Sequence, residues 1–465
     1  MDYATEGMEV LPDAIQGHIL GFVRSARDVA SCSCVSKKWR EAMTQVRSLY
    51  FARNVGDEQG ILPDLIVTRM VLSMTGLQEL IVYCPFSNVS LLAWLKHTKG
   101  TLKILELRVD DLGEKRMGNS SMSKLDCVAL STQLHTLRLW GVLLTHAPAE
   151  WRCFHNLHTL EIVGARLRDS ALCGILHACP YLTNFTLLGC EGIRVACIEL
   201  ERLTNCRLDL YGAGDCIISI IAPKLQTFEV QGASWLRIKG NHRLNHLCVA
   251  NNSGKVKKLD VGRLPELQSL SLRGVHWHWE AIHTVLQSAT ELRELSMRVE
   301  FCGDADKLEP FPEIDFVDFF KSHPKLRSFE AQGAMFAAVA NRNSLKQLSP
   351  ACVIPCLEEA WVTIRSPLNA DYKLASLEAL VRCSPRLRRL HIRLSQMKNC
   401  EPVADEFFFR VLGLKFSKIC NVPVSQSCKR VVAQSDRAET KPIISVCRCV
   451  RCTSTHNVTL MTSGV

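Results

Sequence analysis

The chain has 465 residues, more than one compact core usually contains, so we expect either several domains or an elongated repeat. Its apolar content of 47% and charged content of 22% are those of a folded protein and exclude disorder along the whole length. The net charge of +10 is concentrated in residues 415–465, which hold eight Lys and Arg against two acidic residues. The remainder is nearly balanced, which argues against nucleic acid as a partner.

We expect no segment that directs the chain into or through a membrane. Asp2, Glu6 and Glu9 stand where a secretory signal has a basic start followed by an apolar run. The longest apolar run, residues 216–222, is much shorter than the roughly 20 residues of a membrane span. We therefore expect a cytoplasmic or nuclear protein without a membrane partner, in which most of the 22 cysteines are buried thiols.

The first 51 residues carry the signals of three short helices. Pro12 has the fixed backbone angle that suits the first turn of a helix, and apolar residues then recur at helical spacing in three successive segments. A unit this small has little core of its own and leaves apolar positions exposed. It therefore requires a partner.

This segment resembles an F-box, the helical docking unit of ubiquitin-ligase subunits. The residues at the characteristic positions of that motif are Leu11-Pro12, Ile19-Leu20, Asp28, Val35-Ser36 and Trp39. The resemblance implies that the unit binds the Skp-family adaptor of an SCF-type ubiquitin ligase, and through it a cullin. The residues implied to form or support this surface are Leu11, Pro12, Ile15, Ile19, Leu20, Val35 and Trp39. The alternative is that they only pack the three helices together.

A second pattern, L-x-x-L-x-L with conservative replacements, recurs 13 times between residues 77 and 395, about every 26 residues. Leucine-rich repeats have 20–29 residues per unit, and a regular succession of this length indicates such repeats. We expect a strand at each string and a helix between strings, as at residues 169–180, 280–286 and 374–383, where apolar residues are three and four apart. Stacking would bury a continuous core.

The two patterns together predict an α/β repeat fold, in which a three-helix F-box precedes a leucine-rich-repeat solenoid with one parallel strand per repeat. The expected boundaries are an F-box at 8–51, a linker helix region at 52–76, repeats at 77–400, a cap at 401–416 and a disordered basic tail at 417–465. The ninth position of such a repeat is usually Asn or Cys, but here only Cys190 and Asn252 match. The repeats are therefore irregular. This organisation resembles the plant F-box/leucine-rich-repeat proteins.

The residues between the leucines of each string are expected to face the concave side of the array, where a substrate protein would bind. Exposed tryptophan is enriched at binding hot spots, and arginine pairs bidentately with acidic or phosphorylated groups. Arg273 and Arg298 occupy the same position in successive repeats and would form an anion cradle. The candidate substrate-binding residues are Arg138, Trp140, Arg273, Arg298, Trp361, Arg389, His391 and Arg393. The alternative is that the charged groups of this face are simply solvated.

No enzyme or metal motif stands out. The sequence lacks a P-loop, a strand-linked G-x-G-x-x-G, an H-E-x-x-H and a G-x-S-x-G motif. The histidines of residues 276–283 have only Glu280 nearby as a further ligand, and the C-x-C-x-x-C of residues 447–452 lacks a matching pair. We expect a non-catalytic adaptor without cofactor or metal, which brings a substrate close to the ligase.

An alternative function on the same repeats is a small-molecule or inositol-phosphate receptor, as the resemblance to the plant group also allows. Such a receptor requires a dense cluster of Lys and Arg on the repeat floor. Only Arg273 and Arg298 approach that arrangement in the sequence, so the adaptor is the preferred hypothesis.

Overall fold

The computed structural model describes residues 12–55, 60, 62–109, 125–212, 214–304, 307–341, 343, 352–365, 368–395, 406–407, 409–411, 424–425, 430–433 and 443–449. The chain divides into two compact units, residues 1–244 and 245–465. Within the described ranges no helix is both long and apolar enough to cross a membrane.

The first unit begins with the three predicted short helices, α1 (Asp13–Leu20), α2 (Ala26–Ser33) and α3 (Lys37–Met43). The third is capped by Ser36, whose hydroxyl accepts a hydrogen bond from the backbone N–H of Trp39 at 3.2 Å. A small core holds the helices together; its buried residues include Leu20, Ala26, Val29, Met43 and Val46.

The remaining helices of this unit are α4 (Pro63–Ser73), α5 (Asn88–His97) and α6 (Asp169–Ala178), with a 3₁₀ turn at Asp126–Leu130. Its strands are β1 (Ser48–Phe51), β2 (Glu79–Val82), β3 (Ile104–Arg108), β4 (Thr136–Trp140), β5 (Leu143–Leu144), β6 (Thr159–Val163), β7 (Arg166–Leu167), β8 (Asn184–Cys190), β9 (Val195–Glu199), β10 (Asn205–Leu210), β11 (Cys216–Ile221), β12 (Thr227–Gln231) and β13 (Ala233–Lys239).

Strands β1, β2, β3, β4, β6, β8, β10 and β12 pair in that order, all parallel. Their register aligns the second apolar position of each repeat into one buried row, which consists of Leu49, Leu80, Leu105, Leu137, Leu160, Phe185, Cys206 and Phe228. Burial of this row from strand to strand is the shared core that the repeat pattern predicts.

Strand β1 extends this sheet to Ser48, ahead of the first predicted string at Leu77. Residues 46–51, V-R-S-L-Y-F, are a degenerate copy of the repeat string, and Leu49 pairs directly with Leu80. The hydroxyl of Ser48 donates to Glu79 at 2.5 Å. The same sheet therefore begins within the F-box-like segment.

The prediction of a helix between successive strings holds for α6 but is wrong for the last part of the first unit. Strands β9, β11 and β13 follow there instead and form a second parallel sheet. The first leucines of these repeats, Leu182, Leu203, Leu225 and Leu244, are only 19–22 residues apart. Such repeats are too short for a strand, a ten-residue helix like α6 and two turns, so the return segment is extended.

The second unit contains α7 (Trp279–Ser288), α8 (Phe316–Ser322), α9 (Ala334–Val339) and α10 (Ala370–Cys383). Its strands are β14 (His246–Val256), β15 (Lys258–Asp260), β16 (Ser269–Trp277), β17 (Glu294–Asp304), β18 (Lys307–Glu309), β19 (Ser328–Gln332), β20 (Glu359–Ile364), β21 (Arg389–Ser395), β22 (Val424–Ser425), β23 (Arg430–Ala433) and β24 (Ile443–Cys449). Strands β14, β16, β17, β19, β20 and β21 pair in parallel. Each of the 13 predicted strings thus lies in a strand of one of the two units.

The segment expected to be a disordered tail contributes three strands to the second unit. Strand β24 pairs in parallel with β21, and β23 runs antiparallel to β24. The pairing of β24 supplies partners for the backbone groups of β21, which would otherwise form an open sheet edge. The remainder of residues 417–465, and most of the expected cap at 401–416, lies outside the described residues.

Candidate protein-interaction surfaces

The first candidate surface is an apolar face of α1. Ile15 and Ile19 are 47% and 39% exposed, and Phe22, just after the helix, is 70% exposed. Their spacing of four and three residues places them on one side of the helix, and we name these three residues the α1 apolar face. Phe22 was not among the residues predicted for docking, although its spacing from Ile15 and Ile19 is the same signal.

The other residues predicted for adaptor docking are in different environments. Pro12 is exposed, and Val35, after α2, is 59% exposed. Leu20 is buried in the helical core, and Trp39 is half-buried with its indole nitrogen inaccessible to solvent. Leu20 and Trp39 therefore support this unit from within, whereas Leu11 lies outside the described residues.

The helices are fixed to the sheet through backbone contacts. The N–H of Tyr50 in β1 donates to the carbonyl oxygen of Arg24 at 2.8 Å, and the N–H of Thr75 donates to the carbonyl oxygen of Thr44 at 3.1 Å. Because β1 is itself part of the sheet, the α1 apolar face and the first repeats belong to one continuous hydrogen-bonded structure.

The second candidate surface is the side of the first unit's sheet on which Glu106 is buried. Its carboxylate accepts hydrogen bonds from the Tyr83 hydroxyl, from the indole N–H of Trp140 at 3.0 Å and from Arg138 at 3.3 Å. Arg138 also pairs with Glu161 at 3.4 Å. Burial, together with the neighbouring Glu106 carboxylate, raises the pKa of the Tyr83 phenol. Trp140 and Arg138, both predicted substrate contacts, are therefore engaged by their own sheet.

Aromatic rings surround this carboxylate. Tyr83 makes edge-to-face contacts with Tyr50 at a ring separation of 5.5 Å and with Trp140 at 6.3 Å. We name Tyr50, Tyr83, Glu106, Arg138 and Trp140 the Glu106 cluster. All but the carboxylate remain at least partly accessible, so the cluster is both a packing element and a surface.

The third candidate surface is on the second unit, where Trp361 and His391 lie directly opposite each other on β20 and β21. Their rings stack at 3.6 Å with an interplanar angle of 19°, and Trp361 remains 45% exposed. We name this pair the Trp361–His391 platform. Arg393 lies two residues along the same strand, is exposed and faces Thr363. Arg389 forms an ion pair with Glu359, so its charge is largely compensated.

The predicted anion cradle has the expected register but not the expected free charge. Arg273 and Arg298 are directly opposite each other on β16 and β17. Arg298 pairs with Glu330 at 2.8 Å, and Arg273 donates to the hydroxyl of Ser271 at 3.0 Å. Although burial favours the neutral carboxyl, hydrogen bonds led by that from Arg298 hold the pKa of Glu330 below its ordinary value. The carboxylate of Glu330 thus compensates the positive charge of Arg298.

No group of three or more His, Cys, Asp or Glu residues suited to a metal ion occurs in the part of the chain that the structure describes. His278 is partly buried, and this burial together with the nearby Lys255 lowers its pKa. Burial raises the pKa of both Cys84 and Cys179 to about 12, so these thiols stay protonated at neutral pH.

An F-box-like helical segment followed by stacked parallel strands with leucine-rich-repeat spacing defines an F-box/leucine-rich-repeat protein. The family model described as F-box-like matches residues 8–53. An F-box protein of Arabidopsis thaliana is 45% identical over 404 residues, covering 86% of this chain and 96% of that protein. The chain therefore belongs to the plant F-box proteins with leucine-rich repeats.

Two further Arabidopsis thaliana proteins, both named F-box/LRR-repeat proteins, are more distant. One is 22% identical over 408 residues, covering 83% of this chain and 90% of that protein. The other is 25% identical over 285 residues, covering 56% of this chain and 88% of that protein. This family membership supports a general role as a substrate adaptor in SCF-type ubiquitin ligases.

Proposed function

We propose that this chain recruits a substrate protein to an SCF-type ubiquitin ligase, with α1–α3 bound to the Skp-family adaptor and the repeat sheets bound to the substrate. The observation that carries the proposal is the α1 apolar face, which lies in the segment that matches the F-box-like family. The chain itself contributes no chemistry; it holds the substrate near the ligase, which raises the effective concentration of the reacting groups. Such a subunit acts in the cytoplasm or the nucleus.

The energetic basis of docking is burial of the α1 apolar face. Each large apolar side chain that passes from water into an interface contributes about 1.5–3 kcal/mol, before the cost of association. Ile15, Ile19 and Phe22 together therefore provide enough apolar surface to anchor a complex. Leu11 and Pro12 belong to the same proposed interface.

The test is a binding titration of the purified chain with a purified Skp-family adaptor. Ile19→Asp and Phe22→Asp together, and separately Leu11→Ala with Pro12→Ala, should each abolish co-elution, while circular dichroism stays unchanged. Leu143→Ala is the matched control, because Leu143 is 69% exposed but lies on β5, away from α1. Unchanged adaptor binding by both double variants would remove the docking assignment.

For the substrate, we propose that the Trp361–His391 platform is the main anchor. A stacked, half-exposed tryptophan offers a large apolar contact with few rotamers left to freeze. The adjacent Arg393 favours an acidic or phosphorylated neighbour on the bound segment. Trp140, Arg138, Arg273, Arg298 and Arg389 are assigned supporting roles, because each is held by a partner within its own sheet or by an adjacent side chain.

A pull-down from native extract tests the substrate surface. Trp361→Ala combined with Arg393→Glu should lose substrates that the wild-type chain captures, while adaptor binding is retained. Charge reversal of Arg389 and Arg393 together is a weaker design, because Glu at position 389 would also face Glu359. Recovery of the same partners by the double variant of Trp361→Ala with Arg393→Glu would exclude the platform as the substrate site. The receptor alternative has less support, because Arg138 and Arg298 are paired with carboxylates.

A further inference from the structure

Two cysteines of the second unit lie against each other. Cys383 is the last residue of α10 and is 3% exposed, whereas Cys352 lies ahead of β20 and is half-buried. Their side chains are hydrogen-bonded to each other. The backbone N–H of Ile354 donates to the carbonyl oxygen of Cys383 at 2.7 Å, which holds the segment before β20 against the end of α10. Both thiols are free in this structure.

The backbone contact beside this pair recurs in other repeats, but the pair of cysteines does not. Corresponding hydrogen bonds run to the ends of α6, α7 and α9, from Phe154 to Ala178, from Leu264 to Ser288 and from Ile314 to Ala338. The positions that correspond to Cys352 and Cys383 hold Arg152 with Ala178, Gly262 with Ser288 and Pro312 with Ala338. Packing at this contact therefore requires a cysteine on neither side, so it does not explain the thiol pair.

We propose that Cys352 and Cys383 form a reversible disulfide when the protein meets hydrogen peroxide, which makes this thiol pair an oxidation site of the second unit. Permanent disulfides are rare in reducing compartments, and those that form there are usually transient and redox-sensing. The half-buried Cys352 is the thiol that the oxidant reaches, and the buried Cys383 is the resolving thiol. Low-molecular-weight thiols reverse the reaction by thiol–disulfide exchange.

The reaction consumes one peroxide molecule for each disulfide. The Cys352 thiolate attacks one peroxide oxygen, the O–O bond breaks, and the sulfur becomes a sulfenic acid while the other oxygen takes up a proton and leaves as water. The Cys383 sulfur then attacks the Cys352 sulfur, the S–O bond breaks, and the S–S bond forms as a second water leaves. The two thiols together lose two electrons and two protons, and the peroxide is reduced to two water molecules.

The surroundings of Cys383 suit the second step rather than the first. Burial, together with the neighbouring Cys352 thiol, raises the pKa of Cys383, so this side chain is a poor first nucleophile. A hydrogen bond from Arg382 acts in the opposite direction, because a guanidinium stabilises a thiolate. This arginine therefore favours the charged sulfur at the moment when it attacks the sulfenic acid of Cys352.

The disulfide encloses residues 352–383, a loop that contains β20 and α10. Cross-linking a loop of about 30 residues restricts the unfolded chain and so stabilises the folded one. The two cysteines precede β20 and β21, the strands that carry Trp361 and His391. Oxidation therefore stabilises the repeat that holds the Trp361–His391 platform.

The test uses the full chain, reduced, freed of reductant and treated with a small excess of hydrogen peroxide. Remaining thiols are blocked with iodoacetamide, and digestion without reductant followed by mass spectrometry identifies cross-linked peptides. We expect a peptide pair joined through Cys352 and Cys383 that dithiothreitol separates. A probe in the second unit should report an unfolding temperature about 5–10 °C higher after oxidation.

Three variants assign the roles of the thiols. Cys352→Ser should lose both the cross-link and the rise in unfolding temperature. Cys383→Ser should leave Cys352 at the sulfenic acid, which dimedone then labels in higher yield than in the wild-type chain. Cys356→Ser is the matched control, because Cys356 is half-buried in the same segment and should leave the cross-link unchanged.

The proposal is overturned if oxidised wild type contains no peptide pair joined through Cys352 and Cys383, or if Cys356 is joined to Cys383 instead. A cross-link that dithiothreitol does not reverse, or one that leaves the unfolding temperature unchanged, also overturns it. Circular dichroism of the reduced variants establishes that each one is folded. None of these measurements depends on the proposed function.

Discussion

At the scale of single residues, charged groups on the sheets are mostly satisfied by residues one strand away. Glu106, Arg138 and Glu161 illustrate this, since they occupy successive strands at the same register position. Paired positions on neighbouring strands of the repeats are 21 to 34 residues apart in sequence, so no local sequence pattern predicts the pair. Arg138, Arg298 and Arg389, which the sequence singled out as candidate contacts, are therefore compensated within their own sheets.

We predict that Glu106→Ala lowers the free energy of unfolding by about 2–4 kcal/mol, because it leaves the partly buried indole N–H of Trp140 and the Tyr83 hydroxyl without an acceptor. Glu161→Ala is the control; its pair with Arg138 is partly exposed and should contribute less than about 1 kcal/mol. Urea denaturation followed by tryptophan fluorescence measures both. Equal effects of the two substitutions would show that the Glu106 cluster does not stabilise the sheet.

A glycine within β16 is required by backbone geometry. Gly274 has φ of +142°, and a Cβ there would lie 2.4 Å from the carbonyl oxygen of Asn251. We predict that Gly274→Ala destabilises the second unit by more than about 2 kcal/mol, through strain and displacement of β14. Gly262→Ala, with φ of +62° and open space around it, should cost only about 1 kcal/mol. Thermal unfolding of the two variants distinguishes steric conflict from φ strain alone.

At the scale of elements, the buried row of each sheet depends on register, since a slip of one residue would turn every leucine to the other face. We predict that Leu270→Asp, which places a carboxylate between Leu247 and Leu295, costs several kcal/mol and abolishes soluble expression. Ser269→Asp, one residue away at a half-buried position, should remain soluble. A soluble Leu270→Asp protein would contradict the register described above.

The edge of the second unit's sheet, where β24 pairs with β21, provides a further test at this scale. Deletion of residues 418–465 removes β24 and leaves the backbone groups of β21 unpaired. We predict that the truncated protein aggregates or forms dimers through β21, as measured by light scattering, because an open edge strand recruits other strands. A monomeric, equally stable truncation would instead support the sequence-based expectation of a dispensable tail.

At the scale of the whole molecule, buried thiols make stability sensitive to alkaline pH. Burial raises the pKa of Cys179 to about 12 and that of Cys190 and Cys216 to about 11, whereas an unfolded thiol titrates near 9. Above pH 9 the unfolded chain releases protons that the folded chain retains, so stability falls as pH rises. Lys373 has the opposite effect, because burial lowers its pKa from 10.5 to about 8. Between these pH values the unfolded chain binds a proton that the folded chain has released, so this residue makes stability rise with pH.

We predict that, under reducing conditions, the first unit loses stability between pH 9 and 11 more steeply than the second, since Cys179, Cys190 and Cys216 lie in the first and Lys373 in the second. Denaturant titrations at several pH values, with probes in each unit, measure this. Cys179→Ala should flatten the alkaline decline of the first unit, because it removes a thiol whose pKa burial raises. An unchanged slope in Cys179→Ala would rule out this thiol as a cause.

The sequence by itself determined the elements whose signals are local. The α1–α3 segment followed from apolar residues three and four apart, and the 13 strands followed from leucines whose spacing repeats, because a buried face imposes its period on the chain that forms it. The sequence also carried the family resemblance, since that rests on the same short segments. These features need no knowledge of what lies across from them.

The tertiary structure decided what depends on neighbours distant in the chain. It made β1 the first strand of the sheet, replaced expected helices by β9, β11 and β13, and paired Arg298 and Arg389 with glutamates of adjacent strands. It also left Phe22 exposed. Whether a charge is compensated, or an apolar residue covered, is a property of the space around it, and parallel strands bring together residues that the sequence separates by a whole repeat.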